Sequence, residues 1–230
     1  MTHALLFDLD GTLVDSAPDL AGAMNHLLQH MGRDSIPVEQ VRHLVGRGAR
    51  YLIARGLWGQ EAIPPPVGDA PFDAAVSCFL DYYRDHLSDY SRPFPAVPET
   101  LTLLQQQGYL LAVVTNKPLE LTHLLLKQLD LTPFFSIVIG GDSLPQRKPE
   151  PQPLLYAMAQ LGTTCHNSIM VGDSTNDVLA ARAAGCPVIA VSYGYRHEGS
   201  ATDLGADAII DQFEHLPQLL AKSGYRQELC

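Results

Sequence analysis

Short apolar runs alternate along the chain with stretches whose apolar residues recur every three or four positions. Runs at 4–9, 110–114 (LLAVV), 135–139 (FSIVI), 168–171 (SIMV), 187–191 (PVIAV) and 207–210 (DAII) predict strands. Helical patterns at 98–107, 118–129, 152–161 and 176–184 lie between them, with Gly108, Gly162 and Gly185 as stops and Pro118 as an opener. Near-continuous apolar strands separated by helices predict an α/β fold, a Rossmann-like parallel sheet with helices on both faces.

The alternation breaks after the first strand. Residues 16–90 read as helices only. One is opened by Ser16 as N-cap, with an apolar stripe at Leu20, Met24, Leu27, Leu28 and Met31. Another covers 38–45, one begins near Gly48, and one carries Phe72, Val76, Phe79, Leu80, Tyr83 and Leu87. A stiff IPPPVGDAP connection (63–71) precedes the last. The expected organisation is a catalytic α/β core of 1–15 and 91–230, with a helical cap domain of 16–90 inserted after strand 1.

Composition narrows the possible partners. The chain has 230 residues, 46% of them apolar, and a formal net charge of −10. Such an acidic protein gains nothing from general attraction to nucleic acid or anionic lipid, so neither is an expected partner. No apolar run reaches a membrane-spanning length, and the N-terminus lacks the basic and apolar segments of a signal peptide. Four scattered cysteines, none in a C-x-x-C pair, read as free thiols, and the expected compartment is the cytoplasm.

The chemistry gathers where strands end, which is where open parallel sheets bind ligands. Asp8, Asp10 and Gly11 follow strand 1. Thr115, Asn116 and Lys117 follow LLAVV. Lys148-Pro149 comes after FSIVI, and GDSTND, with Asp173, Ser174 and Asp177, follows SIMV. Clustered carboxylates repel, and a divalent cation is the usual offset. Asp173 suits an oxygen-rich Mg²⁺ site. Asp8 at the strand tip suits a nucleophile that forms an acyl-phosphate, and Asp10, two residues on, a general acid and base. Thr115 offers a hydroxyl to phosphoryl oxygens, and Lys148 a point charge.

D-x-D-G-T, then Thr, then Lys-Pro, then G-D-S-x-x-D, in this order, resembles the signature of the haloacid dehalogenase superfamily over the whole chain. The resemblance implies Asp8 as nucleophile and metal ligand, and Asp10 as acid/base with its carbonyl on the metal. It implies Thr115 and Lys148 on the phosphoryl group, Asp173 as a metal ligand, and Asp177 with Ser174 as support behind them. The presence of Asp10 favours phosphoryl chemistry over dehalogenation. DLDGTLVDSAPDL, LVGRGAR, VVTNKP, KPEPQPLLYA and GDSTNDVLAARAAG are similar to stretches of bacterial phosphoglycolate phosphatases. That likeness implies hydrolysis of 2-phosphoglycolate, a small phosphorylated substrate, to glycolate and phosphate. The expected assembly is a monomer or homodimer.

VGRGAR (45–50) is the cap segment expected over the site, with Arg47 or Arg50 meeting the substrate carboxylate. Its GRG follows a helix and not a strand, so it is no dinucleotide fingerprint. Asp15 reads as a cap of the first inserted helix, and Lys117 as a solvated surface charge. Asn116 either orients Asp8 or shapes its turn. Tyr82 and Tyr83 read as packing residues. His26 and His30, four apart with no third ligand in view, read as surface residues. The rival readings are a same-fold enzyme for pyrophosphate or a sugar phosphate, a phosphosugar mutase, and a non-catalytic phospho-acceptor module.

Overall fold

The structure, a computed structural model, describes residues 3–195 and 201–222. The expectation of a free thiol at Cys230 falls outside the described residues. Six parallel strands form the sheet: β1 (Ala4–Phe7), β4 (Leu110–Val114), β5 (Ile137–Ile139), β6 (Ser168–Gly172), β7 (Val188–Val191) and β8 (Ala208–Ile210). Their spatial order is β5-β4-β1-β6-β7-β8, the doubly wound arrangement in which the chain leaves β1 toward one edge and returns to build the other. The strands fall on their expected runs: β1, β5, β7 and β8 are trimmed at the ends, β4 matches 110–114, and β6 runs one residue further than expected, to Gly172. The first stops at Phe7 because Leu9 and the residues after it turn back: the Leu13 and Val14 N–H groups both donate to the Leu9 carbonyl.

Alternation along the strands sorts the core into two layers. Leu5, Phe7, Leu111, Val113, Val171 and Ile189 face one side. There they meet α5 (Val97–Gln106), α6 (Leu119–Gln128) and α9 (Leu216–Ala221). Leu6, Ala112, Val114, Met170 and Val188 face the other, against α7 (Gln152–Leu161) and α8 (Thr175–Ala184). All four residues of β1 are fully buried, as a central strand covered on both faces must be.

Four helices fill the interval after β1: α1 (Ala17–His30), α2 (Val38–Arg42), α3 (Ala49–Trp58) and α4 (Ala70–Asp85). The chain enters and leaves them through a two-stranded antiparallel ribbon, β2 (Val14–Asp15) against β3 (Arg92–Pro93). Asp19, in the first turn of α1, accepts hydrogen bonds from the Tyr90 N–H, the Ser91 N–H and the Ser91 hydroxyl, so one buried carboxylate ties entry to exit. The α1 stripe is buried at Leu20, Met24, Leu27 and Leu28. Met31 is 46% exposed, because the helix ends one residue before it. α2 is shorter than the expected 38–45, giving way to a turn that leads to Gly46.

Three further expectations change here. Ser16 sits at the N-cap of α1, but its hydroxyl donates to Asp10 and not to the helix. Asp15 does not cap α1: its carboxylate pairs in two-pronged fashion with Arg42 at 2.9 and 2.8 Å and accepts from the Tyr195 hydroxyl. His26 and His30 do have a third candidate ligand, since the packing of α4 on α1 brings Cys78 beside them. No described helix is long and apolar enough to cross a membrane.

Candidate active site

The register of the sheet sets the frame of the site. Phe7 lies beside Val113 on one flank and Val171 on the other, so the residues that follow β1, β4 and β6 emerge at one edge. The Asp8 N–H still donates to the Val171 carbonyl at 2.9 Å, while its carboxylate lies beyond the sheet, almost wholly buried. Carboxylate oxygens of Asp8, Asp173 and Asp177 lie within 4.8 Å of one another.

Lys148, 2% exposed, answers part of this charge. Its Nζ lies 2.6 Å from Asp177 and 2.9 Å from Asp8 Oδ1, the latter an ion pair without hydrogen-bond alignment. Asp177 commits its second oxygen to the N–H and hydroxyl of Ser174, closing a capping box at the start of α8. Its role is therefore to hold Lys148 and the 173–177 turn in place.

Asp173 accepts from the Tyr195 N–H at 2.6 Å and the Thr12 hydroxyl at 3.3 Å. Glycines make its seat possible: a Cβ on Gly11, where φ is +89°, would stand 2.3 Å from Asp173 Oδ2, and one on Gly194 would stand 2.2 Å from Asp173 Cβ.

One lysine cannot offset three buried carboxylates. Burial, first of all, pushes the Asp8 carboxyl up from 3.8 to about 6 against the pull of Lys148, and Asp177 and Asp10 add to the rise. Burial, with repulsion from Asp177 and Asp8, holds the Asp173 carboxyl well above the usual carboxylate range. Hard oxygen donors, an Asp8 oxygen with no hydrogen bond, and carboxyls that resist ionising alone fit a divalent cation held by Asp8 and Asp173.

In front of the carboxylates lies a small pocket, with a cavity volume of about 40 Å³. Asp8, Asp10, Thr115, Asn116 and Lys117 line its core side; Gly46, Gly48, Leu52, Phe79 and Tyr83 are among the residues that close it from the helical side. The 45–50 segment thus lies over the site, as expected. Its carbonyls, and not its arginines, make the contact: Gly46 O accepts from Asn116 Nδ2 at 2.8 Å and from Asn176 Nδ2 at 3.2 Å.

Several sequence expectations are corrected by this geometry. Arg50 does not face the pocket; its guanidinium is held by Asp73 and the carbonyls of Pro65 and Pro66, and it stacks on Phe72. Arg47 is exposed and lies over Tyr51. Asn116 does not orient Asp8: its amide joins Gly46 O to Lys148 O, binding helical segment to core.

Lys117 is no surface charge. It is 5% exposed, lines the pocket, and its Nζ contacts the Asp10 carboxylate at 3.1 Å and the Tyr83 hydroxyl at 2.6 Å. Tyr83 is therefore more than packing. The spacing that places Asp10 beside Asp8 also relates Lys117 to Thr115, and that i, i+2 relation was the available signal. Tyr195 and Asn176, which hold Asp173 and the Gly46 loop, carried no signal of their own.

A doubly wound sheet with carboxylates, a buried lysine and a hydroxyl gathered at its switch point under a helical insertion is the architecture of a hydrolase built on an α/β core. The sequence profile of the haloacid dehalogenase-like hydrolases matches residues 5–191, and the chain belongs to that family. It is 43% identical to a phosphoglycolate phosphatase of Aliivibrio fischeri, over 94% of this chain and 96% of that one. It is 44% identical to one of Neisseria meningitidis, over 89% and 85%. Among solved structures, a predicted phosphoglycolate phosphatase of Haemophilus somnus superposes with a TM-score of 0.87 at 36% identity, over 95% of this chain and 97% of that one.

Proposed function

We propose that the chain is a Mg²⁺-dependent phosphatase that hydrolyses 2-phosphoglycolate to glycolate and phosphate. The observation that carries the reading is the convergence of Asp8, Asp10 and Thr115 on one small pocket walled by the helical insertion, with buried Lys148 paired to Asp8. The names of the relatives narrow the substrate. Asp8 and Asp173, with the Asp10 carbonyl, would hold the cation, whose chemistry there is to neutralise phosphoryl and carboxylate charge.

Asp8 attacks phosphorus, and the bond from phosphorus to the glycolate oxygen breaks. Asp10 gives its proton to that oxygen as it leaves. The second half reverses the roles: Asp10 takes a proton from water, the water oxygen attacks the aspartyl-phosphate, and Asp8 is regenerated as phosphate departs. Lys148, fixed by Asp177, keeps a positive charge beside the Asp8 carboxylate throughout. Thr115 lies at the adjacent strand tip to receive phosphoryl oxygens.

Residues 16–90 act as a cap in this reading. The cap swings on the β2–β3 ribbon to admit substrate and closes over it to exclude bulk water. The test is phosphate release from 2-phosphoglycolate, 3-phosphoglycerate, glucose phosphates, pyrophosphate and an aryl phosphate, with and without Mg²⁺. Mg²⁺-dependent preference for 2-phosphoglycolate is the expected result. Turnover of the aryl phosphate with indifference to 2-phosphoglycolate would refute the substrate.

A further inference from the structure

We propose that the Lys117 ammonium, seated on the Tyr83 hydroxyl, is the group that binds the carboxylate of the substrate, the task that sequence reasoning assigned to Arg47 or Arg50. The inference rests on the reading of the site as one for 2-phosphoglycolate. Such a substrate carries a second anion one carbon from its ester oxygen, and a group lining the pocket must neutralise it. Much of the lining is apolar: Leu20, Val45, Leu52, Phe79, Leu80 and Leu121. Lys117 is the one cationic residue among those lining the pocket.

The local chemistry fits the task. An ammonium has three protons. Asp10 and Tyr83 take two of them, and the Tyr83 ring lies 4.5 Å below the nitrogen, which leaves one for a ligand. An anion here sits within reach of the general acid, so Lys117 sets the distance between the substrate's tail and Asp10. A largely apolar lining with a single cation also explains selection for a small, doubly anionic molecule. A sugar phosphate would leave its hydroxyls facing leucines without partners.

The experiment compares 2-phosphoglycolate with ethyl phosphate, which has the same ester and no carboxylate, using the full chain with Mg²⁺. Wild type is expected to favour 2-phosphoglycolate in kcat/KM. Lys117→Met is expected to lower the ratio of the two kcat/KM values about 100-fold, with Lys117→Arg restoring part of it. Tyr83→Phe, a milder change, is expected to lower the ratio about fivefold. A ratio that survives Lys117→Met and Tyr83→Phe while wild type prefers 2-phosphoglycolate overturns the role of Lys117 alone. A wild type indifferent to the carboxylate overturns the substrate reading and this inference with it.

A second, independent observation lies within the helical insertion, where α1 packs on α4. The structure assigns a candidate transition-metal site to His26 and His30 on α1 and Cys78 on α4, whose ligand atoms lie within 4.8 Å of one another. His30 Nδ1 is 3.0 Å from the His26 carbonyl, so that nitrogen carries the proton and Nε2 keeps its lone pair for a metal. His26 is braced by stacking on Tyr82, and the mixed nitrogen and sulfur set suits Zn²⁺ or Co²⁺ and not Mg²⁺. A bound ion would pin α1 to α4.

Co²⁺ titration of the full chain, with excess Mg²⁺ to fill the carboxylate site, reads this directly. One equivalent is expected to bind with a near-ultraviolet thiolate band. Cys78→Ser should abolish the band, and His30→Ala should weaken binding at least about tenfold. Binding unchanged in both variants, or none below about 1 mM, overturns the assignment.

Discussion

Asp8→Asn is expected to remove turnover and, in metal-free protein, to raise stability. The folded structure holds the Asp8 carboxyl at about 6 against 3.8 in an unfolded chain, so ionising it costs the folded state about 3 kcal/mol once the pH is well above 6. Asparagine has nearly the same shape and carries no such cost. The sign follows from the direction of the shift. A carboxyl raised on folding keeps more protons in the folded state, so wild type loses stability as pH rises from about 4 through about 6.

The variant's advantage should therefore be about 3 kcal/mol at pH 8 and about half of that at pH 5. Urea unfolding in EDTA at the two pH values measures both. Adding Mg²⁺ at pH 8 should close the gap by stabilising wild type alone. An Asp8→Asn protein less stable than wild type at pH 8 without metal, or a gap that does not change with pH, would refute the argument that burial and neighbouring carboxylates destabilise this site.

Other outcomes follow from the same geometry. Asp19→Ala strands two donors of fully buried Ser91 and should cost about 2–6 kcal/mol in urea unfolding; a loss below 1 kcal/mol would refute the tie between entry and exit of the insertion. Gly11→Ala places a Cβ 2.3 Å from Asp173 Oδ2 at a φ of +89°, and should cost about 1–3 kcal/mol and weaken Mg²⁺ binding, read by calorimetry. Chelation should stop phosphate release and Mg²⁺ restore it, and Asp173→Asn should abolish the rise in Tm that Mg²⁺ gives wild type.

Much of the molecule was legible in its sequence because the signals are local. Apolar runs such as LLAVV can be buried on both sides only as central strands. Gly162 and Gly185 end helices because their backbones take left-handed angles that side chains resist. The order Asp8, Thr115, Lys148, Asp173 marked a phosphoryl site because Asp8, Thr115 and Asp173 each stand directly past the end of a strand and Lys148 lies in the segment that leaves β5. What the residues do with long side chains was not legible. Lys117, Arg50 and Asp15 each carry a charge whose partner lies far along the chain, in Asp10, Asp73 and Arg42.

Only the packing of the helical insertion on the sheet decides which of those charges is buried in the pocket and which is spent elsewhere. Lys117 ended inside because Tyr83, 34 residues earlier, offers both a hydroxyl and a ring to it. Arg50 ended outside because the carbonyls of Pro65 and Pro66, and Asp73 beyond them, hold it there. The sequence by itself determined the strands, the chemistry at their tips and the class of reaction. The tertiary structure alone decided which cation lines the pocket, since that depends on which partners the fold brings within about 3 Å of a flexible side chain.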